Sequence, residues 1–143
     1  MPQFMRSRTA GALLTTAIVA LTLATAWIHL GLGGLLFTLN GLGYAGLAGL
    51  IVIGAAAPIA LAQRFSWFPR FALVGYTAMT IAGYLVMGPY FPLGFIAKGI
   101  EVALIALVIV DVVRVYGSPM GLVRTALASV APILPERLRP EAA

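Results

Sequence analysis

The chain has no cysteine and only one histidine, and 9% of its 143 residues are charged, whereas soluble domains carry about 25%. Without cysteine, the chain has no disulfide, no thiolate metal site and no cysteine nucleophile. Most of the chain is apolar instead: 62% of residues are hydrophobic and the mean hydropathy is +1.05. A water-soluble core cannot bury this much apolar surface, so the composition predicts an integral membrane protein with the lipid bilayer as its first partner.

Four apolar segments are long enough to cross roughly 30 Å of hydrocarbon, which takes about 20 helical residues. They are residues 10–30, 35–62, 70–88 and 93–116. Short connections between such segments place consecutive helices side by side and antiparallel. The sequence therefore predicts an all-α membrane protein, an up-down bundle of four transmembrane helices within residues 1–116.

The arginines predict how this bundle is oriented. Eight of the nine basic residues fall on one side of the predicted topology: Arg6, Arg8, Arg64, Arg70, Arg114, Arg124, Arg137 and Arg139. Basic residues mark the cytoplasmic side, so both termini are predicted to be cytoplasmic in an inner, or plasma, membrane. Because the basic residues are scattered over the ends of the spans, the net charge of +5 indicates membrane topology and not nucleic acid as a partner.

A signal peptide is the alternative interpretation of the first span. The small residues "ATA" at 24–26 resemble a cleavage site behind a basic and then apolar stretch. The apolar run continues through Trp27 and Ile28, and cleavage would move the basic C-terminal segment to the wrong side. These observations favour a retained first span.

The last segment, residues 117–143, is predicted to lie on the cytoplasmic surface. Val123, Leu127, Val130 and Leu134 follow helical spacing, and Pro132 interrupts a segment already too short to span. This pattern favours a short amphipathic helix at the interface followed by a disordered tail. The alternative is a frayed tail in which the spacing is accidental.

Two charges lie inside the fourth span, Lys98 and Glu101, three residues apart. Ionisable residues within hydrocarbon are costly and mark a candidate site by default. The predicted depths bring side chains of the other three spans to the same outer leaflet. The result is a predicted intramembrane cluster of five residues: His29, Asn40, Tyr84, Lys98 and Glu101. No comparable cluster is expected in the inner leaflet, where Asp111 and Arg114 fall near the membrane edge.

Small residues in the second span predict a helix-packing seam. Gly41, Ala45 and Gly49 repeat every four residues, a spacing that permits close contact between helices in a membrane. Packing explains these glycines better than a phosphate loop does, because they lie mid-span and no Lys-Ser or Lys-Thr pair follows them.

No motif in the sequence points to catalysis. It contains no Ser/His/Asp arrangement, P-loop or dinucleotide motif, and His29 with Glu101 gives too few ligands for a metal site. A single histidine also disfavours a membrane haem. We therefore expect a non-enzymatic protein with no metal and no cofactor.

Two functions follow from the cluster. The first is a structural or accessory subunit of a membrane assembly, in which the cluster fixes helix packing and the chain associates with itself or with a larger membrane complex. The alternative is a small transporter, proton-coupled factor or ligand sensor that uses the cluster directly. A cavity that reaches Lys98 and Glu101 favours the alternative, and a dry, tightly packed pair favours the structural function.

Three stretches carry a resemblance to a known family: "WIHLGLGGLLFTLNGLGY", "LVGYTAMTIAGYLVMG" and "AKGIEVALIALVIVD". Over about residues 26–112 the chain resembles a family of small, uncharacterised prokaryotic membrane proteins with four helices. The resemblance implies the four-helix architecture. It implies no catalytic role for any residue.

Overall fold

The computed structural model describes residues 7–88 and 90–133, and these residues form helices with no strand among them. The elements in chain order are α1 (Arg8–Leu32), α2 (Leu35–Ala56), α3 (Ala60–Arg64), α4 (Trp67–Met87), α5 (Pro92–Tyr116), α6 (Pro119–Val130) and a 3-10 helix (Ala131–Ile133). The four long helices α1, α2, α4 and α5 are each long and apolar enough to cross a membrane. The prediction of an all-helical protein with four candidate membrane spans is confirmed.

The second helix ends earlier than predicted. Residues 35–62 were expected to form one span, but α2 stops at Ala56. Pro58 accounts for the difference, because a proline disfavours the helical conformation in the residue before it. Ala57 is accordingly extended, with φ −81° and ψ 126°, and helix resumes as the short α3 at Ala60.

Glycines and serines form the tight connections between helices. The α1–α2 link is Gly33 and Gly34, with φ of 71° and 83°, and Gly117, with φ of 79°, caps the C-terminal end of α5. Residues that carry a side chain rarely adopt this left-handed backbone conformation, so glycine is the residue that permits such abrupt turns. Ser7 and Ser118 cap α1 and α6, each accepting a hydrogen bond from a backbone N–H of the first turn.

The long helices share one apolar core. α1 lies against α2 and α5, and α4 lies against α5 and α2. Ile18, Tyr44, Leu73, Leu104 and Val108 are buried where these helices meet. Each long helix thus contributes at least one side chain to the same contact region.

The two ends of the molecule carry different polar groups. The cluster end contains the end of α1, the start of α2, the end of α4 and the start of α5. The arginine end contains the opposite ends of the same helices, together with α3 and α6. Contacts define them: Lys98 reaches Thr80 at the cluster end, and Arg70 reaches Asp111 at the arginine end.

The three residues of the predicted seam on α2 differ in burial within the described structure. A Cβ built at Gly41 would stand 2.6 Å from Leu30 Cγ, so this glycine does permit close contact with α1. Ala45 is half-buried, whereas Gly49 is exposed and has no atom within 4 Å of a built Cβ among the described residues. The reason is helical geometry: each four-residue step overshoots a turn of 3.6 residues, so the third position rotates away from the contact. The buried row alternates steps of three and four instead, through Gly41, Tyr44, Ala48 and Ile51.

The helix α6 is attached to the arginine end. Ser129 accepts from the indole of Trp67 at 2.8 Å, and its carbonyl oxygen accepts from the guanidinium of Arg64, with Nε at 2.9 Å. Leu122 is buried on the same side, while Val123 and Leu127 of the predicted apolar stripe are exposed. The last member of that stripe, Leu134, and the predicted disordered tail lie outside the described residues.

Candidate functional site

The centre of the candidate site is an ion pair within α5. Lys98 Nζ lies 2.7 Å from both carboxylate oxygens of Glu101, one helical turn further along. Glu101 is fully buried, and the Lys98 side chain is mostly buried. A buried carboxylate needs such a partner, because an unpaired charge away from water is very costly.

A threonine connects this pair to two other helices. Thr80 of α4 donates to Glu101 Oε2 at 2.9 Å, and Tyr44 of α2 lies 2.8 Å from the Thr80 hydroxyl. The single hydroxyl proton of Thr80 is directed to Glu101, whose ionised carboxylate only accepts, so Tyr44 is the donor to Thr80. A chain of hydroxyls therefore leads from α2 through α4 to the buried carboxylate of α5.

The first helix joins the network through its histidine. His29 Nδ1 lies 2.8 Å from the carbonyl oxygen of Thr25, one turn earlier, and therefore carries a proton and donates it. This bond orients the ring so that Nε2 faces Glu101 Oε1 at 3.8 Å. Four helices thus supply polar groups to one network around Glu101.

Asn40 and Tyr84, the other two predicted members, stand apart from this network. Within the described part of the chain, Asn40 Oδ1 and the Tyr84 hydroxyl are buried and have no hydrogen-bond partner. The backbone carbonyl of Asn40 accepts from Tyr76 at 3.2 Å, and Lys98 Nζ lies 5.6 Å from the centre of the Tyr84 ring. Each of the two side chains therefore has a buried hydrogen-bonding atom that no described residue uses.

A pocket of about 450 Å³ occupies the cluster end. Four of the five predicted cluster residues line it, namely His29, Asn40, Tyr84 and Lys98, and Glu101 lies behind Lys98 outside the lining. The remaining lining is mainly apolar: Leu32, Leu36, Phe37, Leu39, Tyr76, Met79, Thr80, Gly83, Met87, Gly88, Phe91, Gly94 and Ala97. An apolar cavity with a few converging polar groups has the general character of a small-molecule site.

Thr80 and Tyr44 were not included in the predicted cluster, although the sequence held a signal for Thr80. Tyr76, Thr80 and Tyr84 repeat every four residues, which places Thr80 on the polar face of α4. Tyr44 precedes Ala45 of the predicted seam, but nothing there distinguishes it from an ordinary packing tyrosine. Its role becomes evident only when α2 and α4 are brought together.

A second ionic cluster at the arginine end corrects the expectation that no comparable group exists there. Asp111 is buried and accepts from Arg70 Nε at 2.8 Å on one oxygen. Its other oxygen accepts from Arg114, with Nη2 at 2.9 Å and Nε at 3.1 Å. Arg70 also donates to the carbonyl oxygen of Ser66 at 2.8 Å, so this arginine is a buried structural group as well as a basic residue near a membrane edge.

The chemistry that these groups support is binding and proton exchange. Among residues 7–88 and 90–133, no three His, Asp or Glu side chains are grouped so that they could hold a metal ion. The cluster end offers an ammonium, a carboxylate, an imidazole and several hydroxyls beside an apolar cavity. Such a set is able to orient a ligand by hydrogen bonds.

Comparisons of the chain with protein-family models, with curated proteins and with solved structures give no match.

Proposed function

We propose that this is a non-catalytic, multi-pass membrane protein that binds a small molecule in the pocket at its cluster end. The observation that most directly supports this proposal is the pocket of about 450 Å³, which Lys98 helps to line. Ligand pockets usually measure about 300–1,000 Å³ and combine an apolar lining with a few placed polar groups. Transport or sensing of that molecule would be the biological role, as in the alternative derived from the sequence.

The architecture proposed for this protein is an antiparallel, up-down four-helix bundle, and the resemblance to small four-helix membrane proteins implies the same number of helices. Contacts between opposite ends of helices support it. Arg70 at the start of α4 meets Asp111 near the end of α5, and His29 near the end of α1 faces Glu101 near the start of α5.

The proposed orientation puts the arginine end in the cytoplasm, with the protein in the inner or plasma membrane. Arg64, Arg70 and Arg114 all belong to that end of the described structure, whereas Lys98 is the basic residue of the cluster end and is paired with Glu101. A one-sided excess of arginine is the usual determinant of orientation. The pocket then lies toward the outer leaflet.

Pocket binding is tested by filling the cavity without touching the ion pair. Gly83 lines the pocket, and the nearest atom to a Cβ built there is Met87 Cε at 3.9 Å, so a side chain can start there. The matched control is Gly75 on the same helix, which is exposed and has nothing within 4 Å among the described residues. Gly83→Phe fills the cavity, and Gly75→Phe adds the same ring outside it.

The measurement is binding of the apolar fluorophore 1-aminoanthracene to the protein in phosphatidylcholine nanodiscs, with empty nanodiscs subtracted. We expect a saturable signal for the wild type and for Gly75→Phe, and its loss in Gly83→Phe. Absence of saturable binding in the wild type, or equal binding by both variants, would contradict a ligand pocket.

An accessory subunit remains the second candidate function, with the chain itself or a larger membrane complex as its partner. The outward face of α2 favours it, because Gly46 and Gly49 are exposed and leave open space for a close-packed helix. Disulfide cross-linking of Gly49→Cys in native membranes tests self-association, since the chain has no other cysteine. A dimer band that a Leu61→Cys control lacks supports it, and a monomer alone argues against self-association through this face.

A further inference from the structure

We infer that the ligand of this pocket is an uncharged amphiphile, with an apolar body and one head group that both donates and accepts a hydrogen bond. This inference rests on the proposed function and adds the chemical class of the ligand. Three observations support it: the charged groups near the pocket are already paired within the protein, two polar atoms have no partner, and the pocket opens between two helices.

The charges of the pocket wall are already used inside the protein. Lys98 has three N–H donors, and the structure pairs them with the two Glu101 oxygens at 2.7 Å and with the Thr80 carbonyl oxygen at 3.3 Å. Glu101 also accepts from the Thr80 hydroxyl and lies behind Lys98. An anionic ligand would therefore have to break the ion pair to obtain a donor, and a cationic ligand would lack an accessible carboxylate.

Two uncharged atoms remain for a ligand. Asn40 and Tyr84 line the pocket, and two of their atoms, Asn40 Oδ1 and the Tyr84 hydroxyl oxygen, are buried and have no hydrogen-bond partner within residues 7–88 and 90–133. Asn40 Oδ1 is an acceptor, so the ligand must supply a hydrogen-bond donor to it. The phenol of Tyr84 is able to donate or accept. A head group such as an alcohol or an amide meets both requirements, and it brings no charge into an apolar cavity.

The mouth of the pocket faces the apolar outside of the protein. Leu36 and Leu39 of α2 and Met79 and Met87 of α4 line the pocket, yet these four side chains are between 57% and 77% exposed. The opposite wall is buried at Gly94 and Ala97 of α5. The opening thus lies between α2 and α4, and in a bilayer it would be bordered by lipid, which is the route for an amphiphile and not for a water-soluble ion.

The test compares probes that share one chain and differ only in the head group. Decanol, methyl decyl ether, decanesulfonate and decyltrimethylammonium each displace 1-aminoanthracene from wild-type protein in nanodiscs, with concentrations expressed as measured mole fractions in the lipid. We expect decanol to displace the fluorophore at a mole fraction at least about tenfold lower than either charged probe, a factor equal to about 1.4 kcal/mol.

Two conservative variants assign the hydrogen bonds. Asn40→Leu removes the acceptor, so it should weaken decanol roughly two- to tenfold, the range expected for one hydrogen bond, and leave the ether unchanged because the ether has no donor. Tyr84→Phe keeps the ring over which Lys98 lies and removes the hydroxyl, so it should weaken both decanol and the ether. A variant that weakened all four probes equally would show a structural effect and contradict the assignment.

The outcomes separate this inference from the proposed function. Saturable fluorophore binding that Gly83→Phe abolishes, combined with stronger displacement by either charged probe, would overturn the uncharged ligand and retain the pocket. Displacement by none of the four probes would also overturn it. Absence of fluorophore binding in the wild type would remove the proposed function itself.

Discussion

Arg70 donates from Nε to Oδ2 of Asp111 at 2.8 Å, from the first turn of α4 to the last turns of α5. The same carboxylate accepts from Arg114 on its other oxygen. Asp111 therefore holds two guanidinium groups in a region that is mainly apolar. A carboxylate in this position tethers α4 to α5 and offsets positive charge that would otherwise be buried without a partner.

Asp111→Asn should destabilise the protein strongly, because the two arginines would then share a neutral amide. Breaking a buried pair by removal of one partner costs about 3–5 kcal/mol. Arg114→Met should lower the free energy of unfolding by less than Asp111→Asn does, because it leaves Asp111 paired with Arg70. Arg114 is also the more exposed of the two arginines, with 21% of its side chain exposed against 9% for Arg70. Unfolding midpoints in detergent provide the measurement, and equal losses for the two variants would contradict this ranking.

Much of the fold follows from local sequence, whereas much of the site depends on contacts between helices. Apolar length predicts the four long helices, and Pro58 ended α2 for a local reason that the apolar run concealed. The depth of Lys98 and Glu101 is likewise a local property. The Asp111 cluster was missed because Arg70 carries a topology signal, and only its contact with another helix shows that it is buried. The same holds for Thr80. Sequence periodicity places it on a polar face of α4, but its bond to Glu101 requires α4 and α5 to be packed together.

Lys98 and Glu101 should depend on each other. Lys98→Met leaves a buried carboxylate without its ammonium, and Glu101→Gln leaves an ammonium without its carboxylate, so each should lower the unfolding midpoint in detergent. The double variant leaves neither charge unmatched and should lose less than the sum of the two single losses. Simple additivity would show that the 2.7 Å contacts do not couple the two side chains energetically.

Gly41 and Gly49 provide a matched pair on α2. A Cβ at Gly41 would lie 2.6 Å from Leu30 Cγ and 2.9 Å from the Ala26 carbonyl oxygen, so Gly41→Ala must push α1 and α2 apart. Gly49→Ala meets open space among the described residues and should stabilise the helix by about 0.5–1 kcal/mol. Thermal unfolding of both variants should give shifts of opposite sign. A loss of stability in Gly49→Ala would place that glycine in a contact with another chain.

Orientation is measurable with single cysteines, since the chain has none of its own. Gln63 at the arginine end and Tyr90 at the cluster end are both exposed. A membrane-impermeant maleimide added to intact cells should label Tyr90→Cys and spare Gln63→Cys, because the arginine-rich side is retained in the cytoplasm. Lysed cells serve as the control and should permit labelling of both. The reverse pattern in intact cells would invert the proposed topology.

The proposed mouth between α2 and α4 is testable at two neighbouring residues. Met87 lines the pocket and is 77% exposed, and Val86 is 82% exposed but does not line it. Modification of Met87→Cys with the lipid-soluble N-cyclohexylmaleimide should place a bulky ring at the opening and abolish saturable binding of 1-aminoanthracene. The same adduct at Val86→Cys lies one residue away on another side of α4 and should leave binding unchanged, because successive helical residues point about 100° apart at 3.6 residues per turn. Intact-protein mass spectrometry verifies that both cysteines are fully modified. If the two adducts reduce binding equally, or if neither does, the ligand does not enter beside Met87.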